Sequence, residues 1–145
     1  MSRNALFFIL MLIWIASCQS EHEVIEETYP DGSPKRVCLY LGKGDSKELI
    51  SETTYYPNKQ IQMQGEYKDN LRNGKWSYWH ENGKLWSEGY FKAGKSDGKR
   101  TTYFENGKVR YTGSYKEDER VGKWSFYDEN GRLLQEVDYS AQQKK

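Results

Sequence analysis

From Gly74 to Phe91 the chain alternates. Trp76, Tyr78 and His80 share one parity, Ser77, Trp79 and Glu81 the other, and a second alternating run from Leu85 to Phe91 follows Asn82-Gly83. A period of two marks a strand with one packed face. An Asn-Gly pair between two such runs predicts a two-residue type I′ hairpin, whose central residues both need positive φ. That turn sets Glu81 against Lys84, His80 against Leu85, Trp79 against Trp86, Tyr78 against Ser87 and Trp76 against Gly89.

The unit recurs. Gly83, Gly107 and Gly131 lie 24 residues apart, as do Gly74, Gly98 and Gly122, and Gly65, Gly89 and Gly113. Aromatics follow the same period through Tyr67, Phe91, Tyr115 and Tyr139, and aliphatics through Ile61, Leu85, Val109 and Leu133. Several registers at one period define a repeat protein. Lys59 stands in the turn-glycine slot and predicts a looser first hairpin. Asn73-Gly74, Asp97-Gly98 and Val121-Gly122 read as the connections between hairpins. A degenerate copy starts at Tyr29-Pro-Asp-Gly32, with three extra residues placed at Gly42 to Asp45. The organisation expected is a capping repeat over 29–54, a repeat array over 55–139 and a polar tail over 140–145. The fold class expected is all-β, an elongated single-layer antiparallel sheet of tandem hairpins.

Alternation assigns Trp76, Tyr78, His80, Leu85, Gly89 and Phe91 to a packed face, where the Trp76 indole lies beside Gly89, a residue without a side chain. Trp124 faces Val137 and Arg100 faces Gly113 in the same slots. Cys38 takes the glycine slot of the first copy and Tyr40 its terminal aromatic slot. The pairs Glu81/Lys84, Glu105/Lys108 and Glu129/Arg132 are expected to bridge the turns and help fix register. The other face is polar apart from Trp86, Tyr90 and one slot that is always aromatic: Tyr55, Trp79, Tyr103 and Tyr127. Two strands per repeat would spread that row over ~29 Å, with Lys75, Lys99 and Lys123 running parallel to it. Two readings are open for the row: aromatic rings stabilising a sheet that has no second layer, or a binding surface.

The pattern Gly-Lys-Trp-x-Tyr/Phe-Trp/Tyr-x-Glu-Asn-Gly-Lys/Arg, followed by Gly-x-Tyr/Phe and a second glycine turn, resembles the MORN repeat in its bacterial variant form. Gly74 to Phe91 carries it best. Arg100 in a tryptophan slot and Lys59 in a glycine slot depart from it. The resemblance implies an elongated single-layer antiparallel sheet, a scaffolding role and, more weakly, contact with lipid headgroups. It also carries an antitoxin-component label.

Composition narrows the chemistry. The chain has 145 residues, 36% hydrophobic and 15% aromatic, with twelve Tyr and five Trp. That suits short strands and turns over helices. Beyond Ser17 the 21 acidic residues meet 21 basic ones, Arg3 having been left behind. A balanced charge argues against nucleic acid as a partner. Of the two His, His22 lies in an acidic stretch and His80 in a slot held elsewhere by Tyr56, Phe104 and Asp128, so neither sits in a metal-ligand cluster. The glycines recur as turn residues and form no phosphate loop. Carboxylates beside the turns face cations, unlike an acid and base in differing environments. No catalytic residue, metal or cofactor is therefore assigned.

Arg3 precedes an unbroken apolar run, Ala5 to Ala16, whose twelve residues would span ~18 Å as a helix, short of a ~30 Å bilayer core. A basic start, a short apolar run and small residues describe a secretory leader over 1–17. Ile15-Ala16-Ser17-Cys18 resembles a bacterial lipobox, which implies cleavage before Cys18 and its acylation. Gln19 and Ser20, in place of Asp, imply outer-membrane sorting in a double-membraned envelope. Residues 18–28, with Glu21, Glu23, Glu26 and Glu27, read as a flexible acidic tether or as a surface-export signal. With Cys18 lipidated, Cys38 has no internal disulfide partner and reads as a small buried side chain.

These readings converge on a non-enzymatic, lipid-anchored envelope protein. Its row Tyr55, Trp79, Tyr103 and Tyr127, with Trp86 and Lys75, Lys99 and Lys123, is expected to contact an extended partner, a protein segment or a polymer. The alternatives are an immunity or antitoxin role, and carbohydrate or peptidoglycan binding.

Overall fold

The computed structural model describes residues 20–140. The leader, Cys18 and residues 141–145 of the tail lie outside them. The strands are β1 (Glu21–Thr28), β2 (Pro34–Leu41), β3 (Glu48–Tyr55), β4 (Ile61–Lys68), β5 (Leu71–Trp79), β6 (Leu85–Lys92), β7 (Lys95–Tyr103), β8 (Val109–Lys116), β9 (Glu119–Tyr127) and β10 (Leu133–Asp138). They form one ten-stranded antiparallel sheet in sequence order, which is the all-β single layer that the alternation predicts. At ~4.8 Å per strand the sheet extends ~43 Å across its strands.

The turns depart from expectation. Gly83 has φ 79° while Asn82 stays at negative φ. The Gly83 N–H donates to the His80 carbonyl at 2.9 Å, and the His80 N–H to that of Lys84 at 2.8 Å. This is a three-residue loop: a type I turn followed by a left-handed residue that forms a bulge. Asn82 supports it from its side chain, Oδ1 accepting the Lys84 N–H at 3.0 Å. Asn58 and Asn106 do the same for Gln60 and Lys108 at 3.0 and 2.9 Å. Lys59 adopts φ 69° and its turn bonds, 2.8 and 2.9 Å, match those at Gly83, so this hairpin is not looser.

The extra residue shifts the register at the turn. Trp76 faces Gly89 and Tyr78 faces Ser87 as expected, but Trp79 pairs with Leu85 and not with Trp86. The expected pairings of His80 with Leu85 and of Glu81 with Lys84 are lost with it. The two-residue turns with both φ positive lie at the opposite end of the strands, at Asp69-Asn70, Ala93-Gly94 and Glu117-Asp118. Gly74, Gly98 and Gly122 are therefore not connections. They sit inside β5, β7 and β9 at φ 70°, 117° and 61° and mark irregularities in the ladder: Gly65 pairs with Trp76, yet the next pair is Glu66 with Asn73.

The expected tether is also corrected. Glu21 to Thr28 form β1, paired with β2 from Glu21↔Leu41 to Thr28↔Pro34. His22 and Val24 alternate inward between the exposed Glu21 and Glu23, so the turn at Tyr29–Ser33 has a strand on each side. The first hairpin thus spans 21–41, eight residues ahead of the expected cap. The extra residues fall in the 42–47 connection, as expected, with a short 3-10 turn at Gly44–Ser46.

A single layer buries little, so burial concentrates in one row. Trp76, Trp124 and Cys38 are the fully buried apolar side chains among the described residues. A Cβ built on Gly65 or Gly113 would lie inside the Trp76 or Trp124 ring, so each indole covers the glycine of the preceding strand. The two indole N–H groups donate to the carbonyls of Glu66 and Ser114, both at 3.1 Å. Arg72 lies 4.1 Å over the Trp76 ring and Arg120 4.6 Å over Trp124. Tyr67 and Tyr115 meet the same rings edge-on at 5.3 and 5.0 Å. Arg100, in the intervening tryptophan slot, spans Phe91 and Tyr115 at 5.9 and 5.8 Å. Glu52 holds the slot one period before Trp76, 7% exposed, bound by Arg36 Nε at 2.9 Å and the Tyr67 hydroxyl at 2.7 Å.

Gly65 does not have positive φ, so its requirement is purely one of space. Gly65→Ala is expected to cost ~1–3 kcal/mol through overpacking. Chemical denaturation of Gly65→Ala, Trp76→Leu and the double variant should show coupling, the alanine costing less once the indole is gone.

Candidate interaction surface

Strands β3, β5, β7 and β9 end on Tyr55, Trp79, Tyr103 and Tyr127. All four are half-buried and recur once per hairpin, so the structure brings the expected row together. Two neighbours use the backbone of these residues. The Tyr29 hydroxyl donates to the Tyr55 carbonyl at 2.7 Å and the Tyr56 hydroxyl to the Trp79 carbonyl at 2.9 Å. The Tyr55 and Trp79 side chains are therefore separate from these two bonds between hairpins. Tyr103 is additionally fixed through its hydroxyl, which donates to Glu88 at 3.0 Å.

Trp86 does not join the row. It lies 6.3 Å from Tyr78 edge-on and 6.0 Å from His80, yet stays 45% exposed. Nor do the lysines form a free cationic row: Lys75 pairs with Glu88, and Lys123 with Glu136 at 3.0 Å. Lys99 has no ion pair among the described residues and faces Ser114. The expected turn pairs are absent among those residues too. Lys84 instead donates to the Glu105 carbonyl at 2.7 Å and Lys108 to that of Asn130 at 2.9 Å, while Arg132 pairs with Asp128 at 3.3 Å. The lysines reach the next hairpin because the three-residue loop carries them away from their own glutamates.

Lys75 holds the Glu88 carboxyl below its ordinary value of 4.5, against the opposing effect of partial burial, with Tyr103 adding to the depression. Burial raises the Tyr103 phenol, and its bond to Glu88 raises it further. At the first hairpin, the bond to Glu26 and then burial push Tyr40 up to about 12.

The alternation did not reveal a trough at the turn end. His80, Trp86, Tyr103 and Arg110 help line an opening of 480 Å³, and Phe104, Phe126 and Leu134 help line its 550 Å³ neighbour. The buried His80 Nε2 has no hydrogen-bond partner among the described residues. The signal was present in the slot that runs Tyr29, Tyr56, His80, Phe104 and Asp128, where the tyrosines stop. No group of three or more His, Cys, Asp or Glu among the described residues is arranged to hold a metal.

The hairpins coincide with a family model described as MORN repeat variant, which matches residues 50–69, 72–93, 96–117 and 120–141, more than half of the chain. The chain belongs to the MORN repeat variant family. Each matched MORN segment covers one hairpin, from β3–β4 to β9–β10. The β1–β2 hairpin lies outside the matched segments but has the same antiparallel form. No curated protein matches the chain.

The depressed Glu88 pKa has a definite pH consequence. Below the ordinary value the unfolded chain binds the proton first, so stability rises with pH across that interval. The contribution is complete above about 4.5 and is lost as pH falls through the lower folded value. Thermal midpoints of wild type and Glu88→Gln should differ by a few degrees at pH 7 and converge towards pH 3.

Proposed function

We propose that this chain is a non-catalytic, lipid-anchored protein of the bacterial envelope whose MORN sheet captures an extended partner, a protein segment or a polymer. In a double-membraned envelope the anchor would lie in the outer membrane. The observation that carries the binding role is the row of half-exposed aromatics on a sheet face with no second layer among the described residues. Rings at ~10 Å intervals suit a partner that is itself extended and periodic, since a compact ligand would meet one ring only. The fixed phenol of Tyr103 and Lys99, which has no ion pair among the described residues, add polar definition beside it. Exposed aromatic groups of this kind mark contact sites because they offer large contact area with few rotamers to immobilise. The anchor reading rests on the Ile15-to-Cys18 junction of the sequence.

The row can be tested without disturbing the inter-hairpin bonds, because Tyr29 and Tyr56 use carbonyls that every residue supplies. Cross-linked pull-down from native envelopes should recover a partner with wild type and lose it by about tenfold or more with Tyr55→Ala/Trp79→Ala. The double variant should keep its cooperative unfolding. A collapse of the fold would instead make the row structural and end the binding reading. For the anchor, Cys18→Ser should abolish incorporation of labelled palmitate, and retained label would refute the lipobox.

A further inference from the structure

We propose that the turn-end trough around His80 and Phe104 binds a neutral oligosaccharide, a chain of pyranoside rings held one or two at a time by each hairpin. The proposal rests on reading the array as a binding module. It places this ligand where Tyr103 and Tyr127 border the turn-end openings, and away from Tyr55 and Trp79.

The trough widens where a structural rule breaks, from 300 Å³ beside Tyr56 to 480 and 550 Å³ at the next two slots. In the first two hairpins a phenol fills the turn-end slot and donates to the carbonyl of the next hairpin: Tyr29 to Tyr55 at 2.7 Å, Tyr56 to Trp79 at 2.9 Å. His80 holds that slot next, and its Nε2 is buried without a partner among the described residues. Phe104 follows and has no hydroxyl to give. Two openings of 480 and 550 Å³ lie at these consecutive positions and share Phe104, Arg110 and Glu129. Each falls within the ~300–1,000 Å³ range of small-molecule sites, and one hairpin sets them ~10 Å apart. A linked chain of rings fits that arrangement better than one isolated ring.

The lining chemistry selects the ligand class. Trp86, Tyr103 and Phe104 supply aromatic surface, Trp86 being 45% exposed. The Glu105 and Glu129 carboxylates have no ion-pair partner among the described residues, since Lys84 and Asn106 take only their backbone carbonyls. Arg110 lies 5.7 Å from the Phe104 ring, also without a carboxylate partner there. Anionic, cationic and imidazole groups around aromatic rings do not favour an ion of one sign. They suit a ring whose hydroxyls both donate and accept and whose C–H face packs on an aromatic plane. His80 Nε2 is itself covered, so a ring hydroxyl would satisfy it, in either tautomer, once the imidazole turns towards the opening.

The test titrates the full-length chain with cellotetraose, maltotetraose and chitotetraose by calorimetry, with glucose, triglycine and tetramethylammonium chloride as comparisons. At least one tetrasaccharide is expected to bind saturably and more tightly than glucose. His80→Tyr refills the slot, restores the donor to the Tyr103 carbonyl and keeps or raises the thermal midpoint. It should weaken the tetrasaccharide by about tenfold or more, as should Trp86→Ala. Tyr55→Ala/Trp79→Ala should leave the tetrasaccharide affinity unchanged, so failure of the row does not count for or against the trough. The proposal is overturned if no tetrasaccharide binds, if His80→Tyr binds as wild type does, if the row variant abolishes glycan binding, or if only tetramethylammonium responds.

Discussion

The structure depends on an indole lying over a glycine of the preceding strand. A single-layer sheet has no opposing layer against which to bury its side chains, so rings must lie along the sheet and cover their neighbours. Trp76 covers Gly65 and Trp124 covers Gly113. Where the strand ladder shifts beside Gly74, the Glu66 carbonyl takes the Trp76 N–H, and at Gly122 the Ser114 carbonyl takes that of Trp124. An unsatisfied buried carbonyl would cost ~1–3 kcal/mol. The indole, the glycine and the shift in the ladder therefore form one device, and losing any of them exposes the other two.

That device explains why the alternate hairpins tolerate other residues. Arg100 covers Gly89 and lies between Phe91 and Tyr115, so the guanidinium continues the stack that the indoles begin. Glu52 cannot stack, and the slot there is held by its ion pair with the half-buried Arg36 and by the Tyr67 phenol. Aromatic and cation–π contacts of ~0.5–1.5 kcal/mol each are modest singly. They become sufficient because the 24-residue period places them in one line.

Much of this was legible because alternation and period report on side-chain direction. The faces near the strand centres and the aromatic row follow from parity alone, and the Trp76–Gly89 and Trp124–Val137 pairings survive because a shift in the ladder near the turn offsets the extra loop residue. Turn geometry was not legible, because Asn-Gly serves both a two-residue loop and a three-residue one. The choice fell to the Asn82 side chain, which bonds the Lys84 N–H while Asn82 keeps its own φ negative. That one residue moved Trp86 out of the row and sent Lys84 to the next hairpin. The real two-residue turns, Asp69-Asn70, Ala93-Gly94 and Glu117-Asp118, share no residue type at either position and so offered no repeat to notice. In β1 the glutamates concealed the inward alternation of His22 and Val24.

The candidate site shows the same division between what repeats and what does not. Residues that recur at every period maintain the sheet, because each must meet the same neighbour in the next copy. A slot that changes from Tyr to His to Phe to Asp is relieved of that duty, and its changes require a local reason. Asp128 has one, capping the Asn130 and Arg132 N–H groups at 3.0 and 2.8 Å. His80 and Phe104 have none within the sheet: the first leaves a buried nitrogen unpaired and the second omits a bond that Tyr56 makes. In a chain whose stability comes from repetition, two consecutive departures at one slot, opening onto unpaired charges and an exposed indole, are where selection for binding would be written.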